Sequence, residues 1–441
     1  MMYTTKQIWK VSYPILISLF MQNLINLTDT AFLGRVGEVE LGASALAGVY
    51  YLAIYMIGYG FSTGAQILMA RRNGQKHYSQ IGGIMVLSTL FLVLLAGIMF
   101  VLTNLFSPYL LKLLISSEPV YEAALKYLDW RIYGLFFSLV AVMFRAFFVG
   151  ITRTKVLTAN SLVMVLSNVV LNYALIFGKF GFPEMGIAGA AIASVAAEAI
   201  SVVFFLVYTG KYIDLKKFGM FRFAEFRVKQ LFQVLDIAVW IMLQNFLTIA
   251  TWFLFFVAVE HLGERSLAVS NIVRSISTLM FMPVSAFATT ASTLVSNSMG
   301  AGKSDEVFPL CRKIIKICYL SLAPLLLLVY VSPELLLRIY TDNADLLQSS
   351  IPSLLLFSSC YILAVPGAIW FSAVSGTGNT RSALVIELSM LVFYVLYIWI
   401  AIFDMKVNVM YSWISEHIYW GTMLLFAYIY LKKANWQSKK L

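Results

Sequence analysis

Residues 210–229 read GKYIDLKKFGMFRFAEFRVK, the longest strongly polar stretch in a chain of 441 residues. Everything around it is apolar: 61% of the chain is hydrophobic and only 12% is charged. A soluble globular protein carries about a quarter charged residues, and a disordered chain needs low hydrophobicity, so both classes are excluded. A net charge of +11 would ordinarily suggest a nucleic-acid partner, but an apolar chain with basic cytoplasmic loops accounts for both numbers at once. No nucleic acid is expected, and the lipid bilayer is the expected surrounding.

A membrane-spanning helix needs about 20 apolar residues at about 1.5 Å rise each. Six such segments precede the polar stretch, over 8–33, 41–70, 79–106, 120–150, 156–178 and 186–209. Six follow it, over 229–260, 266–298, 312–332, 347–373, 382–403 and 408–431. The first lies behind Lys6 and Lys10, lacks a small-residue cleavage site, and is expected to remain as a crossing. With the N-terminus inside, 23 of the 32 Lys and Arg residues fall on the cytoplasmic side and eight, Arg131 among them, fall outside. The bias places both termini in the cytoplasm. Three cysteines (Cys311, Cys318, Cys360) and three scattered histidines make no metal-type cluster. The chain has no HExxH, no GxSxG with partners and no P-loop. Enzymatic chemistry and direct use of ATP are therefore not expected, and no cofactor is implied.

Six and six suggests a duplication. A shift of 226 positions matches Gly37-Glu38 with Gly263-Glu264, Phe61 with Phe287, Gly74 with Gly300, Gly150 with Gly376 and Thr154 with Thr380. Gln22-Asn23 matches Gln244-Asn245 at a slightly shorter shift. The expected fold is an all-α integral membrane protein of twelve transmembrane helices in two duplicated six-helix lobes around a central cavity. Its parts are an N-lobe over 1–209, a cytoplasmic linker over 210–229 and a C-lobe over 230–441. An even number of spans in each half inserts both halves the same way up, the arrangement in which transporters build a midplane site between repeats.

An ionisable residue within a membrane segment costs at least about 2.5 kcal/mol on insertion scales and marks a candidate site. Asp29 stands 19 residues beyond Lys10, about 28 Å along a helix. Gln22, Asn26 and Asp29, spaced i, i+4 and i+7, share one face. Asp29 is either a coupling carboxylate turned toward a cavity or an interfacial residue near the outer end. Asn168 and Asn172 share a face of the fifth span, with Asn172 at about the depth of Asp29. A carboxylate with amide oxygens suits Na⁺. Burial would equally let Asp29 carry a proton, and interhelical glue is the plainer role for the amides. Ser194 and Glu198 share a face of the sixth span, with Glu198 near mid-membrane. Pro14 removes a backbone hydrogen bond from the first span and favours a kink there. Glu387, Asp236 and Arg274 are read as structural charges.

The first span, YPILISLFMQNLINLTDTAFLGRVG over 13–37, the loop GITRTKV, the segment LSNVVLNYALIFGKFGFPEMGIAGAAIAS and VSGTGNTRSA in the second half together resemble the multidrug and toxic compound extrusion (MATE) transporters of bacterial type. The resemblance covers essentially the whole chain, with Pro14 and Asp29 at the family's spacing. It implies antiport in the cell's inner membrane. Organic cations, drugs or other amphipathic compounds would leave in exchange for inward H⁺ or Na⁺. It also implies a small hydroxyl ligand at Ser194 and a cavity wall that includes Glu198. Gln244 and Asn245 stand at the matching place in the seventh span, where one branch of the family has a glutamate. The duplicated position of Asp29 falls near Thr251, so no C-lobe coupling carboxylate is expected. A monomer is expected. The alternative is a flippase for lipid-linked saccharides, which related folds perform. Its cavity would want several basic residues, and only Arg274, Arg145 and Arg131 are candidates.

Overall fold

The computed structural model describes residues 3–220 and 227–439. Part of the expected linker (221–226) and the last two residues of the basic tail lie outside the described residues. Among the described residues every regular element is helical. Where no water is available to backbone groups, a helix satisfies its own N–H and C=O groups, and long Leu, Ile, Val and Phe runs then remain helical throughout.

The first half comprises α1 (Thr5–Val36), α2 (Glu38–Gly74), α3 (Tyr78–Leu114), α4 (Glu118–Arg131), α5 (Gly134–Gly150), α6 (Lys155–Ile176) and α7 (Ile187–Tyr212). The second comprises α8 (Val228–Glu260), α9 (Glu264–Gly300), α10 (Val307–Val331), the short α11 (Pro333–Leu337), α12 (Ala344–Ser359), α13 (Tyr361–Gly376) and α14 (Thr380–Ile398). A π-helical stretch, Trp399–Asp404, follows, and then α15 (Val409–Ser412) and α16 (Ile414–Lys433). Among the described residues nine helices are long and apolar enough to cross a bilayer. The pairs α4–α5 and α12–α13, bent by 52° and 42°, bring the number to as many as eleven. The twelfth expected crossing corresponds to α15 and α16, where Glu416 and His417 in the first turn dilute the apolar run.

The chain forms two compact units, Ile17–Met242 and Leu243–Leu441 with Met1–Leu16. The division thus falls inside α1, just after the buried Pro14, and inside α8. The 226-residue shift is visible within each unit. Helices α2 and α9 are both 37 residues long, and both begin after a glycine, the extended Gly37 or Gly263 at positive φ. The broken spans α4–α5 and α12–α13 also correspond under the shift. At the end of α5, Gly150 lies against the backbone carbonyl of Gln66 on α2. At the end of α13, Gly376 lies against that of Ser292 on α9. Both members of the second pair are the first pair moved by 226. The start of the polar stretch is also packed: Gly82 of α3 donates its N–H to the Phe218 carbonyl at 2.9 Å, an approach that a side chain at 82 would block. Phe218 stacks edge-on with Tyr78 and Phe147. Cys311, Cys318 and Cys360 are buried free thiols in the second unit's apolar core.

Candidate functional site

In the unit Ile17–Met242, one end of α1 meets α6 and α7. The Asp29 carboxylate, partly buried on α1, accepts from Asn172 Nδ2 at 2.5 Å and from Ser194 Oγ at 3.2 Å. Asn172 Nδ2 also reaches Asn168 Oδ1 at 3.0 Å, and Asn168 Nδ2 points at Ser194 Oγ at 3.5 Å. Asn168 and Asn172 are fully buried. Their i, i+4 spacing puts both amides on the α6 face that packs on α7, where Ser194 waits. Four residues singled out in the sequence are therefore one hydrogen-bonded network. A further detail is Asn172 Oδ1, which is buried with no hydrogen-bond partner. An orphaned buried carbonyl is costly, and it offers an oxygen to a cation or a proton donor.

One turn along α7 from Ser194, Glu198 forms a two-pronged ion pair with Arg131. Nη1 donates to Oε2 at 3.0 Å and Nη2 to Oε1 at 2.7 Å. The Arg131 guanidinium also lies 3.8 Å from the centre of the Tyr51 ring, and the Tyr51 hydroxyl pairs with Ser138 Oγ at 3.0 Å. The side chains of the ion pair are only 13% and 8% exposed. Arg131, counted in the sequence among the outer basic residues, has a buried side chain. The 52° bend after α4 aims it inward, and Gly134 makes room: a Cβ there would collide with Arg131, Glu198 and Tyr51. Arg131 and Asp29 are near enough to interact electrostatically. The sequence signal that could have found this pair is Gly134, three residues after Arg131, where a side chain would collide with the pair.

The remaining singled-out residues are placed differently. Gln22 and Asn26 are exposed on α1, on the face that carries Asp29. Gln244 and Asn245 lie on α8 in the other unit; Gln244 is 6% exposed and its Nε2 has no partner. In that unit Thr248 of α8 bonds Glu387 of α14, a residue read in the sequence as a structural charge. Glu416, on α16, is a second buried acid that sequence reasoning passed over. Asp236 is in the first unit's part of α8, and Arg274 lies 4.9 Å from the Phe256 ring centre.

Comparison with known proteins converges on one family. The MatE family model matches residues 14–174 and again 241–400. Two matches in one chain agree with the repeat read from the sequence. A probable multidrug resistance protein NorM from Thermotoga maritima is 25% identical over 389 residues, covering 86% of this chain and 82% of that protein. The probable multidrug resistance protein YoeA of Bacillus subtilis is 23% identical over 362 residues, covering 80% and 78%. Among solved structures, a MOP superfamily transporter from Pyrococcus furiosus superposes with TM-score 0.87 at 19% identity over 98% of this chain and 97% of its own. The bent form of the Vibrio cholerae MATE transporter VcmN gives 0.86 at 18% identity over 99% and 98%. With the family model matched over most of its length in two copies, the chain belongs to the MatE family of multidrug efflux transporters.

Proposed function

We propose that this protein is a secondary antiporter that exports organic cations, drugs or other amphipathic compounds in exchange for H⁺ or Na⁺, with coupling at Asp29. The observation that carries the reading is the Asp29 carboxylate, partly buried and caged by Asn172 and Ser194, beside an unpartnered Asn172 Oδ1. Asn172 Nδ2 and Ser194 both donate, so the hydrogen bonds match an ionised carboxylate. An incoming proton would convert Asp29 to a donor, and a flip of the Asn172 amide would present Oδ1 to it. Na⁺ would instead find oxygens from Asp29, Asn168, Asn172 and Ser194, the donor set of a hard cation. Either cargo changes what the cage can bond, and coupling requires that it bind one conformation better than the other. In this reading the halves 1–209 and 230–441 act as two lobes joined by a cytoplasmic linker, with both termini in the cytoplasm of a bacterial inner membrane. The protein works as a monomer without a cofactor.

A saccharide-lipid flippase is less well supported. It needs free cations for a pyrophosphate, whereas Arg131 is committed to Glu198 and Arg274 to an aromatic face.

The test is ethidium or norfloxacin efflux from vesicles holding the full chain, with a proton or a Na⁺ gradient imposed separately. Asp29→Asn keeps the shape and removes the charge. Loss of one charge-assisted interaction of about 1.4 kcal/mol or more should cut gradient-driven transport at least tenfold. Full transport by Asp29→Asn under the gradient that drives the native protein would overturn the assignment.

A further inference from the structure

Helices α8, α14 and α16 are α1, α6 and α7 moved by 226 positions. The three helices that build the Asp29 network therefore have counterparts in the other unit. The first of them lacks an acid where Asp29 stands: the shorter shift that matches Gln22 with Gln244 puts Thr251 there, and Thr251 bonds its own helix at the Leu247 carbonyl. An acid is nevertheless present in the trio, on the second counterpart: Glu387 of α14, 2% exposed. Its position corresponds to Ser161, so a search for a duplicated Asp29 along the chain does not find it.

The surroundings of Glu387 hold no cation. Among the described residues no Lys, Arg or His comes within ion-pair distance of it. The one side chain that bonds it is Thr248, whose Oγ1 lies 3.1 Å from Glu387 Oε1 and 3.0 Å from the Gln244 carbonyl of its own helix. A hydroxyl has one proton. Thr248 Oγ1 is placed to donate both to Glu387 Oε1 and to the Gln244 carbonyl, so a single shared hydroxyl proton is all that a side chain offers Glu387. One turn earlier on the same α8 face, Gln244 Nε2 is buried without a partner. That unspent donor is what an ionised Glu387 would need and a protonated one would not. From α16, Tyr419 is near enough to feel both Glu387 and Glu416. Tyr394 of α14 packs edge-on against Tyr419 at 5.8 Å and senses Glu416 as well. Cys360 and Tyr361 at the α12–α13 bend face Glu416. His417 is turned away to Ser359 Oγ at 2.8 Å. Among the described residues, the acidic and aromatic groups of α14, α16 and the α12–α13 bend, not a cation, are the titratable neighbours of this region.

We infer that Glu387 is a second proton-binding site, in the unit Leu243–Leu441, where the shared Thr248 hydroxyl is too little to hold an ionised carboxylate and the unspent Gln244 amide stands one turn away on the same helix face. On the antiport reading given above, this adds a second exchanged proton to the one at Asp29. The binding step is simple protonation: the carboxylate takes H⁺ from water and returns it, with no co-reactant.

The experiment is infrared difference spectroscopy of the purified full chain across a pH titration, reading the carbonyl stretch of neutral carboxylic acids. The native protein should show a band that disappears in Glu387→Gln and persists in Asp29→Asn. Thr248→Val leaves the acid in place but removes its hydrogen-bonding hydroxyl, so the same band should shift in frequency. A Glu387→Gln spectrum identical to the native one overturns the site, and so does a band unmoved by Thr248→Val. Transport is then measured in vesicles: Glu387→Gln should lower the number of protons exchanged per substrate by one. An unchanged number overturns the second exchanged proton. Transport that ignores the proton gradient altogether, with the Glu387 band intact, defeats the antiport reading and leaves the binding site standing.

Discussion

Glu198→Gln should be the most damaging single substitution in the interior of the first unit, more so than loss of both charges together. At 2.7 Å the Arg131–Glu198 attraction is about 6 kcal/mol for an effective dielectric constant of about 20. Removing each ion from water costs several kcal/mol, so the pair as a whole contributes little net stability. A glutamine changes that balance. It leaves the guanidinium buried over Tyr51 with no counter-charge, and breaking a buried pair in this way costs about 3–5 kcal/mol. Arg131→Met combined with Glu198→Leu removes both charges and should recover most of the loss. The assay is thermal unfolding of the purified full chain in detergent. At about 2 °C per kcal/mol, Glu198→Gln should lower Tm by roughly 6–10 °C. The double variant should lie within about 3 °C of the native protein on the same scale. If the double variant is as unstable as the single one, the residues act by shape and hydrogen bonding, and the electrostatic account is wrong. If Glu198→Gln melts like the native protein, the ion pair is not a buried one.

Two further outcomes follow from the local geometry. Gly376→Ala should destabilise more than Gly150→Ala, because its Cβ would stand 2.5 Å from the Ser292 carbonyl oxygen, whereas the Cβ at 150 would stand 3.2 Å from that of Gln66. Melting of the two variants side by side checks it, and equal Tm values would show that the two close approaches are not equally rigid. Ser194→Ala removes a donor to Asp29 and should reduce gradient-driven efflux by about tenfold, the cost of one charge-assisted hydrogen bond. Ser194→Thr keeps the hydroxyl and should transport at near the native rate; equal loss in both would assign Ser194 a packing role.

The sequence was most informative where chemistry follows from position along a helix. Gly37 and Gly263 punctuate the chain before α2 and α9, and the equal length of those helices follows. The faces of Asn168 with Asn172 and of Ser194 with Glu198 follow from i, i+4 spacing alone, and the hydrogen bonds of the Asp29 network lie on those faces. The buried pairing of Arg131 is not legible from counting, because 120–150 reads as one continuous apolar span. Counting along an unbroken helix puts residue 131 near the outside, and the bend that turns it inward has no proline to announce it. Glu387 was underestimated for a different reason. A repeat preserves backbone geometry more faithfully than it preserves which helix carries the charge, so looking for an acid at the place of Asp29 finds Thr251 and stops.

That mismatch between conserved scaffold and relocated charge has a mechanical consequence. In one unit Asp29 receives two donors, Asn172 and Ser194, which is the bonding of an ionised carboxylate. In the other, Glu387 meets a hydroxyl that also has a carbonyl of its own helix to serve, while the amide that would suit an ionised form stands unused. On the inference of a proton site at Glu387, the two networks suit opposite protonation states in one and the same conformation. If both sites exchange protons, this conformation is one in which the first has given its proton up and the second has kept it. A conformational change that reversed the two preferences would carry both protons in sequence rather than together. Substrate release would then depend on one carboxyl and resetting of the carrier on the other, so Asp29→Asn and Glu387→Gln should arrest the cycle at different steps.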